Sequence, residues 1–327
     1  MPSLARDREG NYIVAPVVGD ELIAVFGADG TYRSSFGRFG EGPGEFPEYT
    51  IWLPTEVGGG DTLYVIARPD VLHTLAPKAE RSLDQVRLPL PVRDVVVLRG
   101  GTIAVQGNVR TAAGITTIQL LRPDGTIEAS IAAAETDADQ WEEWRNRPEN
   151  LSGTRWDMRR VLARSNDHVD IWSAPYTRYS VSRYGLDGTE KIRIERISEW
   201  FRPYSSRSPG APVRAPTEPS VSGVHQDADG LLWVAVQRAP ASFSPIAEQP
   251  GDGEGAPLDP YRDMNRFLHT TVEVLDPVAG ELVARREFDE YVKFVRTPGD
   301  DVSIYSLHPD ALGNLDCTIR PLKLRRN

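Results

Sequence analysis

The side chains of this chain best suited to chemistry are five histidines, and they are scattered: His73, His168, His225, His269 and His308. None pairs with another at a spacing such as H-x-x-x-H, so there is no local zinc signature. His225, in SGVHQDADG, sits where a strand gives way to a polar turn; it is either a ligand contact or a structural histidine held by its neighbours. The single cysteine, Cys317, excludes an internal disulfide framework and cannot build a cysteine-based zinc site alone. There is no G-x-S-x-G elbow, P-loop or dinucleotide fingerprint. GEGPG looks like a phosphate cradle, but it lacks the Lys-Ser/Thr end and a following helix, and reads as a shaped turn. The arginines between Arg202 and Arg214 offer charge to an anionic ligand or stay solvated. With Trp200 and Tyr204 beside it, Arg202 belongs to a candidate ligand-binding set that also includes His225.

Composition narrows the function classes. At 327 residues and 40% hydrophobic, the chain can bury a large core as one domain or two. A net charge of −10 and a pI near 5.1 argue against a general nucleic-acid or anionic-membrane binder, because neither polyanion is attracted; the C-terminal KLRRN is a local basic patch or a solvated chain end. No run approaches the roughly 20 apolar residues of a membrane span. The N-terminal MPSLARDREG lacks the charged-then-apolar pattern of an export signal.

The elements that must position any site are short strands between Gly, Asp and Pro turns. NYIVAP, ELIAVFGADG and TYRSSFG come first, then TIWLP, DTLYVIA, VLHTLAP and SLDQVRLPL. Four more groups follow in the same style, and the D-G turns in FGADGTY, LRPDGTI and YGLDGTE fall at the same place in their units. Units of about 40 residues with four antiparallel strands each are the signature of a β-propeller. The expectation is an all-β, six-bladed β-propeller in a single domain over residues 1–327. Its blades fall near 1–37, 47–90, 91–134, 155–197, 220–290 and 291–327. In that frame His225 ends an inner strand at the channel mouth.

Two kinds of insertion break the rhythm. Glu135 to Leu151 has Asp137 and Asp139 as caps and good helix formers after them, which predicts a short inserted helix. Trp141 and Trp144 would share one face of it and pin it to the rim. Trp200 to Ser220 and Arg238 to Phe267 are long loops around blade five, and loops of that length in a compact domain are functional or disordered. Their aromatics favour ordered loops lying over one face, with Gln249 to Ala256 the exception.

SFGRFGEGPGEF, Ser35 to Phe46, resembles the glycine-rich connector of NHL-like six-bladed propellers, with Phe36, Phe39 and Phe46 as apolar anchors. DREGNYIVAP and DADGLLWVAV resemble the strand openings that recur in those blades, and SNDHVDIWSA is a looser copy. The chain departs from that pattern at both ends, since the last group lacks a clear fourth strand and MPSLARD reads as an inner strand with nothing ahead of it. Many relatives look periplasmic, secreted or lipid-anchored, so the resemblance implies export if the gene product begins upstream of Met1.

The resemblance specifies architecture and leaves function open, because this propeller hosts binding proteins, hydrolases and lyases alike. Our first expectation is a non-catalytic module without a cofactor, recognising a protein, peptide or carbohydrate ligand over the loop-bearing face. The alternative is a lactonase- or esterase-like hydrolase, or a lyase, with Ca²⁺ in the central channel. The resemblance implies ligands from several blades, with Asp94, Asp167, Asp227 and Asp300 at corresponding positions. The same carboxylates are explained as turn formers that accept backbone N–H groups.

Overall fold

The computed structural model describes residues 3–15, 21–40, 42, 45–46, 55–57, 62–67, 70–76, 81–112, 114–133, 158–202, 216–243, 264–297, 299, 301–310 and 315–325. They form six antiparallel sheets arranged as a six-bladed propeller. Blade one holds β1 (Ser3–Arg6), β2 (Tyr12–Ala15), β3 (Glu21–Phe26) and β4 (Tyr32–Arg38). Blade two holds β5 (Thr55–Val57), β6 (Leu63–Ala67), β7 (Val71–Ala76) and β8 (Arg81–Arg87). Blade three holds β9 (Asp94–Val97), β10 (Ile103–Thr111), β11 (Gly114–Leu121) and β12 (Ile127–Ala133). Blade four holds β13 (Arg160–Arg164), β14 (Ile171–Pro175), β15 (Ser180–Tyr184) and β16 (Glu190–Glu195). Blade five holds β17 (Ser220–Gln226), β18 (Leu232–Arg238), β19 (His269–Asp276) and β20 (Glu281–Phe288). Among the described residues blade six has three strands: β21 (Lys293–Phe294), β22 (Ser303–Pro309) and β23 (Leu315–Pro321). The expected helix over residues 135–151, with Trp141 and Trp144, lies outside the described residues. A one-turn helix, α1 (Met264–Phe267), is described instead, together with a 3-10 turn at Arg99–Gly101.

Burial explains the ring. Each blade must cover both faces, so the core is divided into layers, one between each pair of neighbours. β18 shows how: Leu232, Val234 and Val236 pack toward blade four, while Trp233 and Ala235 pack toward blade six. The layer between blades six and one contains Leu4, Val295, Tyr305 and Leu307. The inner strands β1, β5, β9, β13, β17 and β21 therefore lie side by side in that order. The ring closes through backbone: Arg6 N–H donates to Arg296 C=O at 2.7 Å and Arg296 N–H to Leu4 C=O at 2.9 Å, a parallel bridge.

This wiring sorts the connections. We call the mouth where inner strands begin the upper mouth. The first-to-second and third-to-fourth strand turns lie at the lower mouth, and the remaining connections at the upper one. The recurrent aspartates serve the lower turns. Asp7 accepts Asn11 N–H and Nδ2–H, both at 2.8 Å. Asp227 accepts Leu231 N–H at 2.9 Å and Trp233 Nε1–H at 2.7 Å. Gly10 and Gly230, with φ of +90° and +82°, take the left-handed corner of the same turns.

In the Ser35–Phe46 connector, Phe36 and Phe46 are buried but Phe39 is 44% exposed, so two phenylalanines anchor it rather than three. The reason is backbone pairing: Phe46 N–H donates to Arg38 C=O and Gly40 N–H to Phe46 C=O, each at 2.8 Å, which leaves the Phe39 ring outside. Phe46 instead stacks on His73 with centroids 4.6 Å apart.

Candidate functional site at the upper mouth

Arg93 and Asp94 open the inner strand of blade three, Arg159 precedes that of blade four, and Lys293 and Arg296 belong to the inner edge of blade six. Asp94 is buried because the chain around it supplies donors. Its carboxylate accepts Val95 N–H at 2.9 Å and Leu162 N–H at 2.8 Å, the latter from the neighbouring inner strand β13. The same carboxylate pairs with the Arg296 guanidinium, which also donates to Val95 C=O at 2.7 Å. Blades three and six face each other in a six-membered ring, so Arg296 spans the channel. Arg164, at the end of β13, also reaches across to Thr297 C=O on blade six.

Among the described residues the surrounding charges are mostly positive. Burial and repulsion from Arg93 pull the Arg159 guanidinium down to about 10. Burial likewise lowers Arg93, against the pull of Tyr176. Burial and the Arg296 charge bring Lys293 down to about 8, while Asp94 opposes the shift. Tyr176, in the loop between β14 and β15, is within charge range of Asp94, Arg159, Arg296 and Arg93. Burial and the Asp94 charge raise its phenol. It is fixed by backbone, since Tyr176 N–H donates to Arg159 C=O at 2.9 Å. The described groups here are four cations, one carboxylate and one phenol.

The residues singled out from sequence are distributed around the ring rather than gathered. His225 lies in β17, half-buried, with its ring centroid 6.3 Å from that of Phe294 on blade six. Trp200 is packed, with Tyr179 and Phe201 edge-on at 6.1 and 6.0 Å and the Arg285 guanidinium 4.8 Å over its ring. Arg202 is exposed, and Tyr204 and Asp300 lie outside the described residues. Asp167 sits in a lower-mouth turn with Arg183 Nη2 at 3.1 Å. Burial pushes its carboxyl up, but hydrogen bonds from Ser165 and Val169 and the Arg183 charge outweigh this and hold it below the usual range. Among the described residues no group of three His, Cys, Asp or Glu side chains comes together as a metal set.

Sequence reasoning missed Arg93, Arg159, Lys293, Arg296 and Tyr176. The available signal was a basic residue at or just before an inner strand in three groups, in VRDVVV, MRRVLAR and YVKFVR. It also missed the setting of His308, whose Nε2 lies 3.0 Å from both Glu290 Oε2 and Ser306 Oγ. These side chains line an open cavity of about 380 Å³ with Asn265 and Arg320.

Comparison with known proteins supports the architecture. A member of the DUF4221 family from Bacteroides vulgatus ATCC 8482 superposes with a TM-score of 0.60 at 9% identity, covering 98% of this chain and 93% of that one. BF0058 of Bacteroides fragilis NCTC 9343, a candidate exported protein, superposes with a TM-score of 0.59 at 11% identity, covering 93% and 78%. A streptogramin B lyase aligns over 93% of this chain and 89% of its own at a TM-score of 0.48 and 12% identity, too distant to bear on chemistry. No family model matches the chain, and no curated protein sequence matches it. Among the described residues no helix is long and apolar enough to cross a membrane.

Proposed function

We propose that the protein is a non-catalytic binding propeller that receives a protein, peptide or carbohydrate ligand at its upper mouth. One observation carries the reading: the connections bearing both long insertions join strand ends at the mouth where the cationic group of the channel lies. Among the described residues the lower-mouth turns, by contrast, are short and closed on their own hydrogen bonds, as at Asp7 and Asp227. A rigid ring with a polar, charged mouth suits recognition.

The described channel groups do not suit a calcium ion. Calcium requires six to eight oxygen donors, and the described channel charges are predominantly guanidinium and ammonium, which repel a dication. Asp94 commits its oxygens to two backbone N–H groups and Arg296. The NHL-like kinship belongs to the same proposal. It is supported by Asp7 and Asp227, which hold equivalent turns in the same way.

The test is a screen of the purified chain against peptide and glycan arrays, run beside a panel of esters and lactones. Saturable binding that weakens in an Arg159→Met variant, with hydrolysis at the blank rate, is the expected result. Turnover of an ester or lactone without any array ligand would overturn it.

A further inference from the structure

We propose that the cavity of about 380 Å³ between blades five and six binds a neutral sugar residue, with Glu290, Arg320, Asn265 and Thr318 as its hydrogen-bonding partners. The inference rests on the reading of the chain as a recognition module and names one ligand class and the place that takes it.

The cavity exists because one face of a sheet changes character along its length. On β22, Ile304 packs in the apolar layer between blades five and six, and the same alternation brings Ser306 and His308 to the cavity above it. β23 adds Thr318 and Arg320, which pair in register with Ser306 and Ile304. The connection from β20 to β21 supplies Asp289 and Glu290, and α1 supplies Asn265. Every described lining side chain carries a polar group, so an apolar ligand would strip these groups of water and replace none of it. The volume falls in the range of small-molecule sites.

The polar groups are held in place before any ligand arrives. Glu290 Oε1 accepts the Arg320 guanidinium at 2.5 Å, and Glu290 Oε2 lies 3.0 Å from His308 Nε2. The Arg320 guanidinium also lies 5.5 Å from the centre of the Phe288 ring. Asn265 Oδ1 accepts Tyr291 N–H at 2.7 Å, which turns Nδ2–H toward His308 Nδ1 and Leu307 C=O at 3.5 and 3.4 Å. Those two contacts are long, so the amide keeps donor capacity for a ligand.

Acceptor-only carboxylates and a donor-only guanidinium thus line one cavity. A cation is repelled by Arg320 and an anion by Glu290 and Asp289. A hydroxyl satisfies both kinds of group, because it donates one hydrogen bond and accepts two. Adjacent hydroxyls on a sugar ring offer that pair at fixed spacing, and prearranged partners lower the ordering cost of binding. The same geometry argues against hydrolysis. Ser306 is fully buried, and its Oγ and Glu290 Oε2 both lie 3.0 Å from one nitrogen, His308 Nε2. A serine relay needs the carboxylate on the other ring nitrogen.

The experiment is saturation-transfer NMR titration of the full chain with the methyl glycosides of glucose, galactose, mannose and N-acetylglucosamine, with methylammonium and acetate as ionic probes. Saturable binding of at least one glycoside, and of neither ion, is expected. Glu290→Gln should weaken it about tenfold or more and Thr318→Val about threefold or more, the difference between losing a charged and a neutral hydrogen-bond partner. Thr318 is exposed, so its variant is informative even if Glu290→Gln perturbs folding, which circular dichroism reports. No glycoside binding, binding of an ion instead, or glycoside binding indifferent to Thr318→Val and to folded Glu290→Gln overturns the sugar site. If no glycoside binds but an array ligand does, the cavity proposal falls and recognition at the channel mouth survives. If a glycoside binds here and no array ligand binds, the cavity stands and the macromolecular reading falls.

Discussion

Removing the Asp94 carboxylate tests whether the channel is held by the tie across it. Asp94→Ala leaves the Arg296 guanidinium, 27% exposed, with Val95 C=O but without its carboxylate. It also strips the buried Leu162 and Val95 N–H groups of their acceptor. Deleting one partner of a buried pair costs about 3–5 kcal/mol, because the remaining charge stays dehydrated. For 327 residues the unfolding entropy near the midpoint is about 0.7 kcal/mol/K, so this cost corresponds to a fall of about 4–7 °C in Tm. The assay is thermal and urea unfolding of wild type, Asp94→Ala, Arg296→Met and the double variant. Because Arg296→Met removes the stranded charge, the double variant should regain at least about 1 kcal/mol over the sum of the singles. Singles within about 0.5 kcal/mol of wild type, or a strictly additive double variant, would refute the tie.

Four further outcomes follow. His73 is fully buried against Phe46, and burial lowers its imidazole to about 4, so it is neutral when folded. The unfolded chain takes up a proton near 6.5 and the folded chain does not. Stability is therefore full above that pH and falls toward pH 4, by about 2.5 kcal/mol at pH about 4.5, and His73→Leu should flatten that slope in urea titrations. Gly37 has φ +81° and a Cβ there would lie 2.8 Å from the Phe46 ring, so Gly37→Ala should cost about 2 kcal/mol or more in the same assay. Asp227→Ala should lower stability by about 1–3 kcal/mol by stranding Trp233 Nε1–H and Leu231 N–H. The wild-type Tm should move less than about 1 °C between EDTA and millimolar Ca²⁺, measured by differential scanning fluorimetry.

The ring was legible because its signals are local. An aspartate four residues before the N–H it accepts, with glycine in between, is visible in DREGN and DADGL, and a repeat of such turns sets the blade count. Strand LLWVAVQ was legible as a strand, although its unbroken apolar run gave no inner or outer face. The structure explains why, since both of its faces meet another blade. Phe39 misled because ring burial depended on a backbone pairing between Arg38 and Phe46 that composition does not record.

The site was illegible for a different reason: its members come from opposite blades and lie at or just outside the ends of inner strands. The ladder of β17 slips between Val221 and Gly223, and that of β10 between Gln106 and Val109. Counting alternation from a strand end therefore does not reveal which side chains face the channel. Net charge misled in the same way. Asp29, Asp124, Asp187 and Asp276 are spent in exposed hairpin turns, where their carboxylates accept nearby N–H groups. Arg93, Arg159, Lys293 and Arg296 stand at the channel instead. A sum over the chain counts both sets alike, so a net charge of −10 does not give the sign of the described charges at the channel.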